Sequence, residues 1–311
     1  MNILPFDKQV SAIAALTEGC SIRATERLTS IHRDSVMRLG VRVGEGCALI
    51  HDRLMRNLQV ARIELDEVWS YVGKKQKRVT RDDGADVGDQ YLFTAMDATG
   101  KAILSYMVGK RTADNTQAFV ADLRERVINR PNISSDAFNA YPEAVELAFG
   151  DDVDYGQIVK VFHGEPGPDA ARRYSPGCVV GVNRRRVTGS PKRICTSYVE
   201  RSNLTVRMQS RRFTRLTNGF SKKLRNHEAA ISLFIAHYNL CRVHETIRMT
   251  PAMMLGITEH IWTIAELLEA ATDENPPAPA PKRAPLLPKL QGRAVGRFRV
   301  IDGGLSDSKD S

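Results

Sequence analysis

Three carboxylates in this chain stand where they could do chemistry. Asp66 lies within Ile63-Glu64-Leu65-Asp66-Glu67-Val68-Trp69, an apolar run of strand character in which an unpaired carboxylate is costly. Asp136 follows Ser134-Ser135 and precedes Ala137-Phe138, and Glu200 lies within Tyr198-Val199-Glu200-Arg201-Ser202-Asn203. Glu200 is the only acid between Ala170 and His227, a stretch that carries fifteen Lys and Arg. The chain's average acidity would place about seven acids there. Positive neighbours favour the ionised form of a carboxylate. A lone acid among bases suited to a polyanion therefore points to a divalent cation and phosphoryl chemistry. Cleaving a phosphodiester needs a nucleophilic oxygen, a stabilised leaving oxygen and neutralised charge, which two divalent ions about 3.5–4 Å apart supply together. Three acids can serve two Mg²⁺ or Mn²⁺ ions if one of them bridges.

Each residue also has a plainer reading. A strand alternates its faces, so Glu67 should point away from Asp66 and into solvent. Asp89, Asp97, Asp151 and Asp152 compete with Asp136 as the second acid, but Asp97 sits in Asp97-Ala98-Thr99-Gly100, a turn where aspartate bonds nearby backbone. Glu200 could be a solvated helical acid paired with Arg201 or Arg207. Trp69 and Tyr71 are expected in the core or on the sheet face, and His237, Tyr238 and His244 within the packing of the last helices.

The elements that must position the acids follow from periodicity. Residues 1–58 read as helices only. Val10, Ile13, Ala14 and Leu16 keep helical spacing up to Gly19, and Ser21 caps a helix running through Leu28. After the turn Thr29-Ser30-Ile31, another helix opens over 33–39. Helix, tight turn and a basic second helix are the layout of a helix-turn-helix, although a generic three-helix cap fits the same segment. Residues 59–271 then run β-β-β-α-β-α-β, which predicts a mixed five-stranded sheet flanked by helices. The strands are expected at 62–72, 90–96, 101–108, 131–135 and 157–162, with helices at 114–128 and 142–149. Residues 163–194, with Arg184-Arg185-Arg186, are expected to form a basic insertion of loops or short strands. Helices at 197–213 and 226–240 follow, and the Pro-rich residues 272–311 are expected to be disordered.

Composition narrows the class. The net charge of +9 favours an acidic partner, and nucleic acid is preferred to an anionic membrane because no apolar run is long enough to span one. Residues 1–7 lack a signal-peptide pattern, so a cytoplasmic protein is expected. The five cysteines are scattered without a C-x-x-C pair, which argues against a zinc site or a disulfide framework and for buried reduced thiols.

These motifs resemble the DDE transposases of bacterial insertion sequences, relatives of retroviral integrases with a ribonuclease-H-like fold. The resemblance covers most of 13–268. It rests on Glu64 to Ser70, on Ser135-Asp136-Ala137, on Glu200-Arg201-Ser202-Asn203 followed by Arg207, and on His237-Tyr238-Asn239 through Arg242, His244 and Thr250-Pro251-Ala252. It implies a ribonuclease-H-like α/β catalytic domain, with Asp66, Asp136 and Glu200 as the catalytic, metal-binding acids and Arg207 as a contact to the DNA end. Asn203, one helical turn after Glu200, is expected to bond phosphate or a ligand water. Arg201 and Arg211 join the DNA-binding set, and Arg33, Ser35 and Arg38 are placed near base edges or phosphates. The implied activity is cleavage at terminal inverted repeats and transfer of the freed 3′-hydroxyl to target DNA, by at least a dimer, in a bacterial nucleoid. A resolvase-like nuclease of the same fold and a non-catalytic DNA-binding regulator are the competing readings. The spacing from Asp136 to Glu200 is wider than is usual in such enzymes, and 163–194 accounts for the excess.

Overall fold

Six strands form one mixed sheet: β1 (Arg62–Val72), β2 (Gly88–Asp97), β3 (Ile103–Gly109), β4 (Asn132–Asp136), β5 (Asp154–His163) and β6 (Cys178–Thr188). They are seen in a computed structural model whose described residues are 4–163, 178–214 and 218–273. The order across the sheet is β3-β2-β1-β4-β5-β6. β1, β4 and β5 run parallel, while the β1–β2, β2–β3 and β5–β6 pairs are antiparallel. The sheet is mixed as expected but has a sixth strand. β6 lies inside the basic insertion and its residues 179–180 and 182–186 are exposed, so it carries no alternation of core and solvent positions to announce it. The expected disorder of the tail falls almost wholly on 274–311, outside the described residues.

The two faces of the sheet are covered by different helices. Helices α4 (Ala113–Arg126) and α5 (Tyr141–Phe149) pack with Ile63, Leu65, Phe93 and Ile133 in one core. On the other face Val68, Leu92 and Met96 meet α6 (Ser197–Gln209) through Val199 and Val206, and α7 (Leu224–Leu240) through Ile231, Phe234 and Ile235. α7 is buried over most of its circumference, as a helix between two layers must be.

Beyond α7 lie α1 (Phe6–Thr17), α2 (Ile22–Thr29) and α3 (Arg33–Leu54). The Ser21 hydroxyl caps α2 by accepting the Ala24 N–H at 3.1 Å, and Ser30, at φ 57°, makes the turn. α3 continues to Leu54, well past the expected 39, and its second half packs on α7 and on α9 (Ile264–Thr272), with the short α8 (Pro251–Met254) alongside. Val43, Cys47 and Ile50 share a core with Leu233, Ala236, Leu267 and Leu268. The boundary expected at 58 thus adjoins helices that share a core with the C-terminal ones. A side chain at Gly44 would bring its Cβ within 2.0 Å of the Ala229 carbonyl oxygen, so glycine permits the α3–α7 approach. Among the described residues no helix is long and apolar enough to cross a membrane. Cys47 is buried, whereas Cys20, Cys195 and Cys241 are partly exposed, which corrects the expectation of uniformly buried thiols.

Candidate active site

Parallel pairing of β1 with β4 ends at Leu65 and Ser135, and the next residue of each strand is an acid. Past that point β1 loses its β4 neighbour, which opens a crevice at the carboxyl ends of adjacent parallel strands, where α/β sheets bind ligands. Asp66, Glu67 and Asp136 converge there, with carboxylate oxygens within 4.8 Å of one another. A cavity of about 720 Å³ contains all three.

Glu67 corrects an expectation. It does lie on the face opposite Asp66, but its side chain is only 3% exposed rather than solvated. The open edge of β1 lets it turn toward Asp136, while α5 and Arg111 close it from water. Burial, followed by the charges of Glu67 and Asp136, pushes the Asp66 carboxyl up to about 7. Burial and then Asp136 push Glu67 up to about 7 as well. Asp66 and Glu67, desolvated beside another acid, thus resist ionisation more than ordinary carboxylates, a cost that a bound cation would offset.

Helix α6 is fixed over the crevice from β1 itself. Glu64, buried and on the Asp66 face, accepts the Tyr198 and Val199 N–H groups at 2.7 and 3.0 Å. These are orphan donors of the first helical turn, so the strand that carries Asp66 also caps the helix that carries Glu200 and Asn203. Asn203 Nδ2–H donates to Asp66 Oδ2 at 2.7 Å, and the Glu67 N–H donates to Asp66 Oδ1 at 2.9 Å. Asn203 is 3% exposed, and its Oδ1 has no hydrogen-bond partner among the described residues. An orphaned amide oxygen beside clustered carboxylates suits a hard cation or its bound water, so the residues present fit Mg²⁺ or Mn²⁺.

Glu200 lines the same cavity but stands outside the trio of close carboxylates. Its Oε1 accepts from Lys160 Nζ at 2.5 Å and from the Thr196 hydroxyl at 2.6 Å. Arg207 also lines the cavity, two turns after Glu200. The structure therefore brings Asp66, Asp136, Glu200, Asn203 and Arg207 together. Arg201 and Arg211 are exposed and lie outside the cavity, as do exposed Arg33 and Arg38 and half-buried Ser35 on α3. Sequence reading passed over Glu64, Glu67, Arg111 and Lys160 as site residues. Glu64 and Glu67 were visible as acids flanking Asp66, whereas nothing local marks Arg111 or Lys160. Asp97, one of the rival acids, accepts from Thr99 and Gly100 N–H groups within its own turn.

The chain is 25% identical over 172 residues to the insertion element iso-IS1n protein InsB of Shigella dysenteriae, a match covering 55% of this chain and 92% of that protein. Among solved structures, a piggyBac transposase synaptic complex with hairpin DNA aligns over 86% of this chain and 69% of its own, at 12% identity and a TM-score of 0.42. The Mos1 strand transfer complex aligns over 76% and 79%, at 13% identity and a TM-score of 0.22. No protein-family model matches the chain.

Proposed function

We propose that this chain is a metal-dependent DNA transposase of the DDE, ribonuclease-H-like type. One observation carries the reading: Asp66 and Asp136, each the first residue past the last β1–β4 pair, converge beneath the helix that bears Glu200. The sequence similarity to an insertion-element protein supports it from outside the structure.

In this reading Asp66, Asp136 and Glu200 would hold two Mg²⁺ or Mn²⁺ ions. Bound divalent cations supply an activated oxygen nucleophile and neutralise charge at the phosphorus. The chain's own residues do the rest. Asn203 fixes Asp66 through its amide N–H. Lys160 and Arg207 stand at the cavity wall, where they can meet backbone phosphates. Arg33, Ser35 and Arg38 at the start of α3 would contact the terminal repeats in helix-turn-helix fashion, with Arg201 and Arg211 extending the phosphate contacts. Residues 1–58 would be the DNA-recognition segment and 59–271 the catalytic one, acting as at least a dimer in the cytoplasm.

The test uses labelled DNA from both flanks of the chain's own coding sequence. Incubation with Mg²⁺ or Mn²⁺ should nick the element ends and join them to a target plasmid, and chelation should abolish both. Nicking without joining would indicate a nuclease, and neither product a non-catalytic binder.

A further inference from the structure

Arg111 is a fixed cation inside the acid cluster. It follows the end of β3 and immediately precedes Thr112, whose hydroxyl caps α4, so its backbone is held from both sides. Its Nη2 lies 3.3 Å from Glu67 Oε2 and 3.5 Å from Asp136 Oδ2. The guanidinium carbon stands 3.9 Å from the Phe138 ring centroid, and the Phe138 N–H donates to Asp136 Oδ1 at 2.9 Å. Phe138 meets Tyr141 edge-on at 5.7 Å, and the fully buried Tyr141 sets its hydroxyl beside Glu67, in a contact that falls short of an ordinary hydrogen bond. The chain of contacts runs Glu67, Arg111, Phe138, Tyr141 and back to Glu67, and Asp136 is held from inside it.

This arrangement answers two questions. Asp136 is the more exposed acid of the cluster, at 39%, and an aspartate at a strand end would otherwise rotate freely. Here one oxygen takes a backbone N–H and the other faces the guanidinium. Glu67, by contrast, is almost wholly buried, and a buried carboxylate needs a charged partner. Arg111 is that partner. We propose that Glu67 and Arg111 act as one positioning unit for Asp136, with Glu67 anchoring the guanidinium that aims Asp136 at the bound cation. The inference rests on reading the cavity as a metal site.

Coulomb's law sets an informative sign. Removing a positive charge beside three carboxylates should by itself tighten cation binding. A positioning role gives the opposite result. Mn²⁺ affinity of the full chain without DNA, measured by electron paramagnetic resonance and calorimetry, should fall about 10–100-fold in Arg111→Gln and in Glu67→Gln. The double variant should fall no further than the weaker single variant, because the two act in series. Arg111→Lys keeps the charge but not the planar fork and should remain as weak as Arg111→Gln. The spectrum of bound Mn²⁺ should also change in all of them, measured below the lowest metal-free melting temperature of the set. Unchanged or tighter binding in Arg111→Gln, full rescue by lysine, or losses that add in the double variant would each overturn the proposal. The last outcome would make Glu67 a direct ligand. Arg111 sits at the cavity rim, so its two variants decide the matter even if Glu67→Gln fails to fold. Asp66→Asn and Asp136→Asn serve as controls; normal Mn²⁺ binding in both would sink the metal-site reading itself rather than this addition to it.

Discussion

Asn203 on α6 holds Asp66 on β1 by a 2.7 Å hydrogen bond that spans 137 residues of sequence. The bond fixes one carboxylate oxygen and leaves the buried amide oxygen of Asn203 without a partner among the described residues. Asn203→Ala removes both effects. Groups that orient a metal ligand typically contribute 10–100-fold in affinity, so Mn²⁺ binding by calorimetry should weaken by about that factor. Unaltered binding would show that Asp66 needs no such support.

The protonation of the acid cluster gives a second expectation. Asp66 and Glu67 both sit at about 7, above the ordinary carboxylate range, because burial and neighbouring acids disfavour their ionised forms. The folded chain therefore binds more protons than the unfolded one between the ordinary carboxylate value, roughly 4, and about 7, and its metal-free stability falls across that window as pH rises. A cation offsets this penalty only once the carboxylates are ionised. The rise in melting temperature on adding Mn²⁺ should be larger at about pH 8 than at about pH 5.5. Scanning fluorimetry showing an equal rise at both pH values would contradict this account of the cluster.

The union of the first helices with the sheet layer can be tested at one atom. A methyl group at Gly44 would collide with the Ala229 carbonyl on α7, and backbone cannot move aside as a flexible side chain would. Gly44→Ala should lose about 3 kcal/mol of stability in denaturant unfolding, near the upper end for overpacking. A neutral effect would mean that α3 does not pack there.

Much of this organisation was readable in advance, and the gaps have physical causes. β1 announced itself by its β-branched and aromatic residues, and Asp66 could be picked out because a carboxylate in such a run demands a reason; β4, with Ile133 alone among polar residues, was marked only by its shortness and by Asp136 at its end. Glu67 was misjudged because alternation fixes the face of a side chain but not what covers that face; α5 and Arg111, distant in sequence, decide that. Lys160 and Glu200 are 40 residues apart, and only the β4–β5 pairing with α6 above it brings them together. β6 was hidden because an exposed edge strand buries too little to show a period.

Phosphate contacts should reveal themselves through salt. Arg207→Ala should weaken DNA binding and reduce the slope of log affinity against log salt by about 1, equally for specific and random sequence. Arg38→Ala should weaken binding to the element ends more than to random DNA if α3 meets base edges. Fluorescence anisotropy across a salt series separates the two. An unchanged slope in Arg207→Ala would take that residue out of the interface.

The most direct test of the central claim is Asp66→Asn, which keeps the size of the side chain and one of its two accepting oxygens but removes the charge that would bind metal. With labelled element ends and Mg²⁺, the account expects no cleavage and no joining, while the ends are still bound with near wild-type affinity and Mn²⁺ binding is lost. Cleavage at the wild-type rate by this variant would contradict it.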